Sequence, residues 1–456
     1  MKLQFDQAEQ ATRAKVLGRE RAPEALNLVT DTRSLNPGDT FLALRGERYD
    51  GHDFVDEALA KGAAALVVDS GVRVGDGIAA LIVGDTKRAY MDLAAAARAQ
   101  FTGRVIAVTG SGGKTTAKHL LSSLLSMAFG ADAVAATPGN ENNEIGVSKL
   151  LLSATPLQQF LIVEMGARHT GEIAELVEIA SPHIGILTNI GDAHLEIFGS
   201  RDRLAATKWG LFSHGAQAVL NAQDEISRNR ASSLDAPPLW FGEGEPSMPG
   251  VWVRDAHTLV LNHNGPSQTL PIEVPFPGAH NRSNLAAAIA TALLLGVNAE
   301  KLAGAVSSLS LPAGRYEDMT VRGGMRLIYD AYNANAAGMI ATLDTFASEH
   351  ANRRIAVLSS MAELGPDAPA MHERIGAHAA RSNVDALLVG GDFASSLAAG
   401  ASRAGFPRDR IVSFSDNGEA VRWLRENATA QDVILLKGSR KYRMEEIVQA
   451  LRDGAA

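Results

Sequence analysis

The sequence predicts an α/β protein of three domains whose middle domain contains a mostly parallel sheet, and three observations predict it. The chain has 456 residues, and at roughly 150 residues per domain this length suggests about three domains. Short β-branched and apolar runs alternate with helical patterns from residue 104 onwards, which is typical of parallel sheets covered by helices. A glycine-rich segment, TGSGGKTT, follows one of those runs and precedes a helical pattern.

The first block, residues 1–103, is predicted to form a small α/β domain. Residues 63–69 (AAALVVD) have the composition of a buried strand, and residues 89–100 form an alanine-rich helical pattern. Turn signals such as Asn36-Pro37-Gly38-Asp39 separate the short apolar runs.

The second block, residues 104–311, is predicted to hold the parallel sheet. Its strand candidates are residues 105–108, 160–163, 184–187 and 216–220. A helix is expected over residues 284–295, ended by Gly296 as a C-terminal cap. Residues 240–275 differ, because proline, glycine and short alternating runs favour an antiparallel excursion there.

The third block, residues 312–456, is predicted to form a C-terminal Rossmann-like α/β domain. Its strand candidates are residues 355–358, 386–389 and 433–436, with helical patterns between them.

Composition excludes several classes of protein. The net charge of -8 gives no global basic surface for nucleic acid or anionic membranes. The absence of cysteine excludes disulfides and thiolate chemistry and favours a reducing compartment. The charged N-terminus does not resemble a secretory signal, and the longest apolar stretch, residues 285–297, is shorter than the ~20 residues of a membrane span. We therefore expect a cytoplasmic protein without membrane insertion, and a monomer by default.

The glycine-rich segment predicts a phosphate-binding loop. Glycines let several backbone N–H groups face one anion, and the following helix adds the positive end of its dipole. Lys114 would pair with phosphate oxygens and the Thr115 hydroxyl would bind Mg²⁺. The alternative is a glycine turn with a surface lysine, which the strand before and the helix after disfavour.

Three further residues are candidates for metal binding, each with a structural alternative. Glu164 follows a predicted strand, where α/β folds bind ligands, although it could simply begin a helix. His194 follows the next predicted strand, and a lone histidine is more often structural. Lys208 lies in a helical stretch, and taken alone it is a solvated lysine.

Further motifs accompany these residues in a fixed order. They include Thr137-Pro-Gly-Asn140-Glu-Asn142-Asn143, His280-Asn281, Gly314-Arg315, Asp330-Ala-Tyr332-Asn333-Ala-Asn335 and, near the N-terminus, Asp31-Thr32-Arg33 and Asp50-Gly51-His52. In order and rough spacing, over nearly the whole chain, the sequence resembles the Mur ligase family, the ATP-dependent amide-forming enzymes of peptidoglycan precursor synthesis.

The resemblance implies an ATP-dependent ligase that activates a carboxylate as an acyl phosphate and joins it to an amine. Residues 330–335 most resemble the members that add D-alanyl-D-alanine to UDP-N-acetylmuramoyl-tripeptide. The first block would then bind the UDP substrate, the second would bind ATP, and the third would bind the dipeptide and close over ATP.

The resemblance also implies a role for each matching residue. The nucleotide would be bound by Gly110, Gly112, Gly113, Lys114, Thr115, Thr116, Asn281, Asn284, Arg315 and Asp330. Two Mg²⁺ ions would be bound by Thr115, Glu164, His194 and Lys208. Lys208 resembles the family's carbamylated lysine, and it would act in catalysis with Lys114 and His194. The substrates would lie near Thr32, Arg33, His52, Asn140, Asn142, Asn143, Asn333 and Asn335.

The sequence departs from the family pattern at three places, which leaves two alternatives open. Trp209-Gly210, Ala336-Ala337-Gly338 and Ser359-Ser360 stand where relatives usually carry other residues. One alternative is another Mur-type ligase, acting on a diamino acid or a folate. The other is a catalytically weak, nucleotide-gated binding protein. Lys437 and Arg440 are candidate contacts to an anionic substrate or to phosphate, or else surface cations.

Overall fold

Three main sheets, one in each predicted block, organise the chain. The computed structural model describes residues 3–46, 49–75, 77–191, 195–263 and 265–453. The main sheets have five, nine and six strands in chain order, which confirms the predicted three-domain α/β fold. The boundaries at residues 103 and 311 remain predictions.

The first domain is a small five-stranded sheet of order β2-β7-β6-β5-β4 with a separate two-stranded sheet, β1-β3. Its strands are β1 Leu3–Gln4, β2 Lys15–Leu17, β3 Ala25–Leu26, β4 Leu28–Val29, β5 Thr40–Leu42, β6 Ala65–Asp69 and β7 Ala79–Val83. Its helices are α1 Phe5–Thr12, α2 Val55–Ala60 and α3 Thr86–Gln100. Strands β4 to β7 pair in parallel, and β2 pairs antiparallel with β7.

Helix α3 packs on two hydrophobic cores at once. Tyr90 and Leu93 belong to the core of the first domain, whereas Met91 and Ala94 belong to a core of the central domain. The first and central domains therefore share this helix.

The central domain is a nine-stranded sheet of order β16-β15-β14-β13-β12-β11-β8-β10-β9. Its strands are β8 Arg104–Thr109, β9 Val134–Ala136, β10 Phe160–Glu164, β11 Ile184–Leu187, β12 Gln217–Asn221, β13 Leu239–Glu243, β14 Gly250–Val253, β15 Thr258–Asn262 and β16 Gln268–Pro271. Its helices are α4 Lys114–Phe129, α5 Glu144–Ser153, α6 Glu172–Ala180, α7 Leu195–Phe198, α8 Arg201–Trp209, α9 Glu225–Arg230, α10 Ala279–Leu294 and α11 Ala299–Ala305.

The central sheet is buried on both faces, because side chains alternate along each strand. Ile106 and Val108 pack against α4 and α10, while Val105 and Ala107 face α3, α5, α6 and α8. The strands from β9 to β14 pair in parallel, and β14, β15 and β16 pair antiparallel. The predicted antiparallel excursion is thus confirmed, as an extension of the sheet edge.

Helix α10 is longer than its predicted span. It begins at Ala279, because its polar first turn, Ala279-His-Asn-Arg, precedes the apolar pattern that predicted the helix. It ends as predicted near Gly296, whose φ of 84° suits a residue that follows a helix.

The C-terminal domain is a six-stranded sheet of order β17-β18-β22-β19-β20-β21 with helices on both faces. Its strands are β17 Glu317–Thr320, β18 Arg326–Tyr329, β19 Arg353–Ser359, β20 Ala386–Gly390, β21 Ile411–Ser413 and β22 Asp432–Lys437. Its helices are α12 Ala336–Phe346, α13 Ala368–Ala379, α14 Ala394–Arg403, α15 Asn417–Asn427 and α16 Glu445–Asp453. Only β17 pairs antiparallel.

Within the described part of the chain, no helix combines the length and the apolar character needed to cross a bilayer.

Candidate active site

The glycine loop, residues 110–113, connects the end of β8 to the start of α4. Gly110 and Gly113 have positive φ angles of 151° and 79°. A Cβ atom on Gly110 would lie 1.9 Å from the Thr188 hydroxyl oxygen, and one on Gly113 would lie 2.3 Å from Asn284 Oδ1. Both positions therefore require glycine. Gly112 has more room, since its nearest neighbour would be 3.8 Å away.

The position of β8 in the sheet explains why the loop lies open to a ligand. Strand β8 lies between β10 and β11. The connection from β8 to β10 therefore leads to one side of β8, and the connection from β10 to β11 leads to the other side. Such a switch point leaves a crevice beyond the carboxyl ends of the strands, where α/β proteins bind ligands.

Thr188 and Asn189, which follow β11, stabilise the conformation of the glycine loop. Asn189 Oδ1 accepts a hydrogen bond from Gly112 N at 3.0 Å, and Asn189 Nδ2 donates to Gly112 O at 3.2 Å. The Thr188 hydroxyl donates to Gly112 O at 2.5 Å. The loop is therefore braced by side chains from the neighbouring strand.

Two lysine amines meet at one carbonyl oxygen of the loop. Lys114 Nζ donates to Gly110 O at 2.9 Å, and Lys208 Nζ, from α8, donates to the same oxygen at 3.1 Å. Lys208 is only 2% exposed. Burial, and then the charge of Lys114, holds the pKa of Lys208 well below its ordinary value. Burial also lowers the pKa of Lys114, which Glu164 opposes. Lys208 is thus not a solvated lysine.

Glu164 ends β10 beside the glycine loop and is 1% exposed. Its Oε1 accepts from the Thr115 hydroxyl at 3.2 Å and from Asn142 Nδ2 at 3.0 Å. Its Oε2 lies 3.0 Å from Lys118 Nζ. Burial would raise the pKa of Glu164, but Lys118 and Lys114 outweigh it and lower that pKa. Glu164 is therefore a buried carboxylate and not a helix-start residue.

The described oxygens suit a hard cation such as Mg²⁺. The Thr115 hydroxyl and the Glu164 carboxylate are adjacent oxygen donors, the type that Mg²⁺ prefers. No group of three or more histidine, aspartate and glutamate side chains that could hold a metal ion is found among the described residues. The predicted ligand His194 lies outside them, so the full predicted ligand set stays a prediction.

Helix α10 brings its first turns against the loop. Asn284 is 6% exposed and lies against Gly113. Asn281 is 3% exposed, and its Nδ2 donates to Pro277 O at 2.8 Å. Thr116 is buried in the first turn of α4. Asn284 thus lies at the predicted site, while the described hydrogen bond of Asn281 is local.

The C-terminal domain reaches the glycine loop through Asn335. Its side chain caps α12 by accepting from Gly338 N at 2.8 Å, and its Nδ2 donates to Ser111 O at 3.3 Å. Nearby, Asp330 Oδ2 lies 3.0 Å from Lys437 Nζ, and both residues are buried. Lys437 is therefore an internal cation, not a surface one.

A second group of cations lies around Tyr332. The guanidinium of Arg315 lies 4.7 Å from the Tyr332 ring centroid, and that of Arg440 lies 5.5 Å from it. Asn333 is exposed, and its backbone oxygen accepts from Lys437 Nζ at 3.1 Å. Arg440 is exposed and has no carboxylate partner within the described residues.

The asparagine loop, residues 137–143, packs beside Glu164. Asn142 contacts Glu164, as above, and Asn143 caps α5 by accepting from Gly146 N at 3.1 Å. Asn140 is exposed. Glu144 then forms an ion pair with Lys87 of α3, so the loop lies between the first domain and the glycine loop.

The predicted UDP-binding residues form their hydrogen bonds within the first domain. His52 Nδ1 lies 2.6 Å from Asp50 Oδ1, and His52 Nε2 accepts from Asp69 N at 3.1 Å. Thr32 is buried, and its backbone oxygen accepts from Lys61 Nζ at 2.9 Å. Arg33 is exposed, and its hydrogen bonds lower the pKa of Asp31 to about 2. Both ring nitrogens of His52 are thus already used.

The sequence predicts no site role for Lys118, Thr188 or Asn189. Lys118, on α4, is 5% exposed and contacts Glu164. A signal was available, since Lys118, Leu121 and Leu125 share one helix face by their spacing, and the two leucines are buried. No such periodicity marks Thr188 and Asn189.

The site combines a glycine-rich loop at the topological switch point of the sheet with a buried carboxylate at the end of the neighbouring strand. This combination is typical of α/β proteins that bind nucleotide phosphates. Sequence profiles of three domains match: "Mur ligase family, catalytic domain" over residues 26–101, "Mur ligase middle domain" over 108–292, and "Mur ligase, glutamate ligase domain" over 314–440.

Known proteins match over nearly the full length. A UDP-N-acetylmuramoyl-tripeptide–D-alanyl-D-alanine ligase of Synechocystis sp. is 38% identical over 93% of this chain and 91% of its own. The structure is similar to MurF from Acinetobacter baumannii, with a TM-score of 0.87, 30% identity and 99% of both chains covered. It is also similar to MurF ligase from Thermotoga maritima in complex with ADP, with a TM-score of 0.80, 28% identity and 93% and 97% coverage. The chain therefore belongs to the Mur ligase family.

Proposed function

We propose that this protein is an ATP-dependent ligase that joins D-alanyl-D-alanine to UDP-N-acetylmuramoyl-tripeptide. The observation that carries the proposal is the 38% identity, over 93% of the chain, to a ligase named for that reaction. The glycine loop and its buried neighbours support the ATP-dependent part independently.

The reaction proceeds in two displacement steps. The terminal carboxylate of the tripeptide attacks the γ-phosphoryl group of ATP, which yields an acyl phosphate and ADP. The amine of the dipeptide then attacks the acyl carbon, and phosphate leaves as the amide forms. Such phosphoryl transfer depends mainly on positioning and on neutralising charge.

The central domain supplies the charge and the positioning. Backbone N–H groups of the glycine loop and the N-terminus of α4 bind phosphate oxygens. Lys114, which lies on Gly110 O in this structure, turns to the β- and γ-phosphates when ATP enters. Thr115 and Glu164 would hold Mg²⁺, with His194 and Lys208 as further ligands. When bound, Mg²⁺ neutralises charge on the transferring phosphoryl group.

The environment of Lys208 supports the carbamylation that family resemblance implies. Carbon dioxide adds to a neutral amine and not to an ammonium, and the low pKa of Lys208 favours the neutral amine. Adding carbon dioxide to Nζ, with loss of one proton, gives an anionic carbamate. That anion would face Lys114 and could serve as an oxygen ligand.

The C-terminal domain binds the acceptor dipeptide and excludes water. The hydrogen bond from Asn335 to Ser111 O supports its closure against the glycine loop. Exclusion of water protects the acyl phosphate from hydrolysis. Arg440, exposed and without a carboxylate partner in the described chain, is available for the carboxylate of the dipeptide.

The first domain binds the UDP part of the donor near Thr32 and Arg33, and the asparagine loop contacts the muramoyl peptide. His52 contributes by fixing Asp50 and the end of β6. We further propose that the protein is cytoplasmic, in keeping with its lack of cysteine, and that it is a monomer.

Mass spectrometry of the reaction products tests the proposal. The full chain is incubated with ATP, Mg²⁺ and UDP-N-acetylmuramoyl-tripeptide, using tripeptides that differ in the third residue, with and without D-alanyl-D-alanine. We expect the UDP-linked pentapeptide and stoichiometric ADP only when the dipeptide is present. Parallel incubations contain UDP-N-acetylmuramoyl-L-alanyl-D-glutamate with 2,6-diaminopimelate, or a folate with glutamate. Product from one of these, but none from the dipeptide, would assign another ligase of the family. Nucleotide binding without any product would favour the nucleotide-gated binding protein.

A further inference from the structure

Lys118 is a buried lysine whose amine contacts three oxygen atoms. It lies on α4 one turn after Lys114 and is 5% exposed. Its Nζ donates to Thr137 O at 2.7 Å and to Gly139 O at 2.8 Å, and it lies 3.0 Å from Glu164 Oε2. The amine therefore makes two hydrogen bonds to the loop and one ion pair to the carboxylate.

These three contacts join the two elements that would serve different substrates. Thr137 and Gly139 belong to the asparagine loop, and Glu164 belongs to the nucleotide side of the site. Two hydrogen bonds also join the two elements without the lysine. The Thr137 hydroxyl accepts from Glu164 N at 2.9 Å, and Asn142 Nδ2 donates to Glu164 Oε1. Lys118 is the cation that contacts both the asparagine loop and the Glu164 carboxylate.

A purely structural reason for this lysine is weak. Moving an ammonium into the interior costs several kcal/mol, and a buried ion pair often stabilises a fold no better than apolar residues of similar volume. On the C-terminal side of Lys118, its helix face continues with Leu121 and Leu125, which are buried. A leucine or methionine at position 118 would continue that face, but it would leave the two loop carbonyls and Glu164 Oε2 without this partner.

Further contacts connect the asparagine loop to the first domain. Residues 137–143 lead directly into α5, where Glu144 pairs with Lys87 of α3, and Ile145 packs against the first-domain core. Gly166, just after β10, donates from its backbone to Asn142 O at 2.8 Å. A continuous set of contacts therefore runs from the nucleotide side to the donor-binding domain.

We infer that Lys118 is a positioning residue that couples binding of the UDP-linked donor at the asparagine loop to binding of Mg²⁺ and nucleotide at Glu164. The inference rests on the proposed function. Without the ammonium group, only the direct hydrogen bonds between the loop and the end of β10 remain, so that occupying one element orders the other less strongly.

Calorimetric titration of the full chain tests the coupling without turnover. UDP-N-acetylmuramoyl-tripeptide is titrated in the absence and in the presence of saturating Mg²⁺ and a non-hydrolysable β,γ-methylene analogue of ATP. We expect the analogue to tighten donor binding at least about fivefold in the wild type, the lower range of measured couplings. In Lys118→Met the ratio of the two dissociation constants falls at least about twofold, because only the direct hydrogen bonds between the loop and the end of β10 remain.

Two further variants serve as controls. Lys149→Met removes an exposed lysine that pairs with Glu141 of the same loop at 3.1 Å, and it should keep the wild-type ratio. Lys118→Arg keeps the charge but cannot place one nitrogen at all three acceptors, so its ratio should drop at least about twofold. If Lys118→Met does not fold, Lys118→Arg decides the question.

Different results overturn different claims. A wild-type chain that binds donor and analogue independently, or a Lys118→Met or Lys118→Arg variant that keeps the full ratio, overturns the coupling role. A wild-type chain that neither binds the donor nor forms the pentapeptide product overturns the proposed function, and this inference with it.

Discussion

Replacing Lys208 with methionine should stabilise the protein while it abolishes ligase activity. The side chain is 2% exposed, its one hydrogen bond runs to Gly110 O, and it has no carboxylate partner in the described chain. Burying a polar group costs about 1–3 kcal/mol in mutational data, and one hydrogen bond offsets about 0.5–1.5 kcal/mol of that cost. Methionine is similar in length and apolar, so the variant should gain at least about 1 kcal/mol.

The pH dependence follows from the low pKa of Lys208 in the folded chain. In the unfolded chain this amine has its ordinary pKa near 10.4. Between the two values the unfolded state binds more protons, so wild-type stability rises with pH. The variant lacks this contribution, and its advantage should therefore shrink between pH 7 and pH 9.

Urea unfolding followed by tryptophan fluorescence measures both effects. Three of the four tryptophans, Trp209, Trp240 and Trp252, lie in the central domain. The buffer is purged of carbon dioxide so that Lys208 remains an amine. Ligase activity is measured separately in bicarbonate, where the variant should lose at least about 100-fold. A methionine variant less stable than wild type by 1 kcal/mol, or one that keeps full activity, would refute this reasoning.

Three further outcomes are expected. Gly113→Ala should lower the free energy of unfolding by about 1–2 kcal/mol, because residue 113 has a positive φ, and it should weaken nucleotide binding in calorimetry. Gly112→Ala should change the free energy of unfolding by no more than about 0.5 kcal/mol. Equal losses of stability in the two variants would contradict the loop geometry. Arg98→Ala removes hydrogen bonds of 2.7 and 2.8 Å to the carbonyls of Ala180 and Ser181 at the end of α6, and should cost about 2–3 kcal/mol in urea unfolding. His372 is fully buried and accepts from Met361 N at 2.8 Å, and burial lowers its pKa. Just below pH 6.5 the unfolded chain therefore binds more protons than the folded chain. Between pH 7.5 and 5.5 the free energy of unfolding of the wild type should fall more than that of His372→Gln, and the two would fall equally if the ring were solvated.

The part of the site that could be predicted from sequence is the part fixed by local geometry. A glycine loop between a strand and a helix has one common use, and Glu164 could be located because parallel strands end at one sheet edge. The burial of Lys208 could not be deduced from its surroundings in sequence, since its neighbours in α8 are mixed in polarity. Only the family resemblance singled it out.

Residues whose role is to hold other residues were mostly missed. Asn189 and Thr188 act on the glycine loop across some 80 positions of chain, and no local pattern marks such contacts. Lys118 differs, because a lysine in an apolar helix stripe is a visible anomaly. The family resemblance predicts that His52 lies near the uridine nucleotide, and this stays a prediction. The structure adds that both of its ring nitrogens bind atoms of its own domain.

Helix α3 also determines which pieces of this protein can be separated. An excised first domain would keep Tyr90 and Leu93 in place but would expose Met91 and Ala94 to water. A fragment that starts at β8 would lose the same helix from its own core. Melting of the first two domains should therefore be one cooperative event, and fragments cut near residue 103 should refold only when mixed.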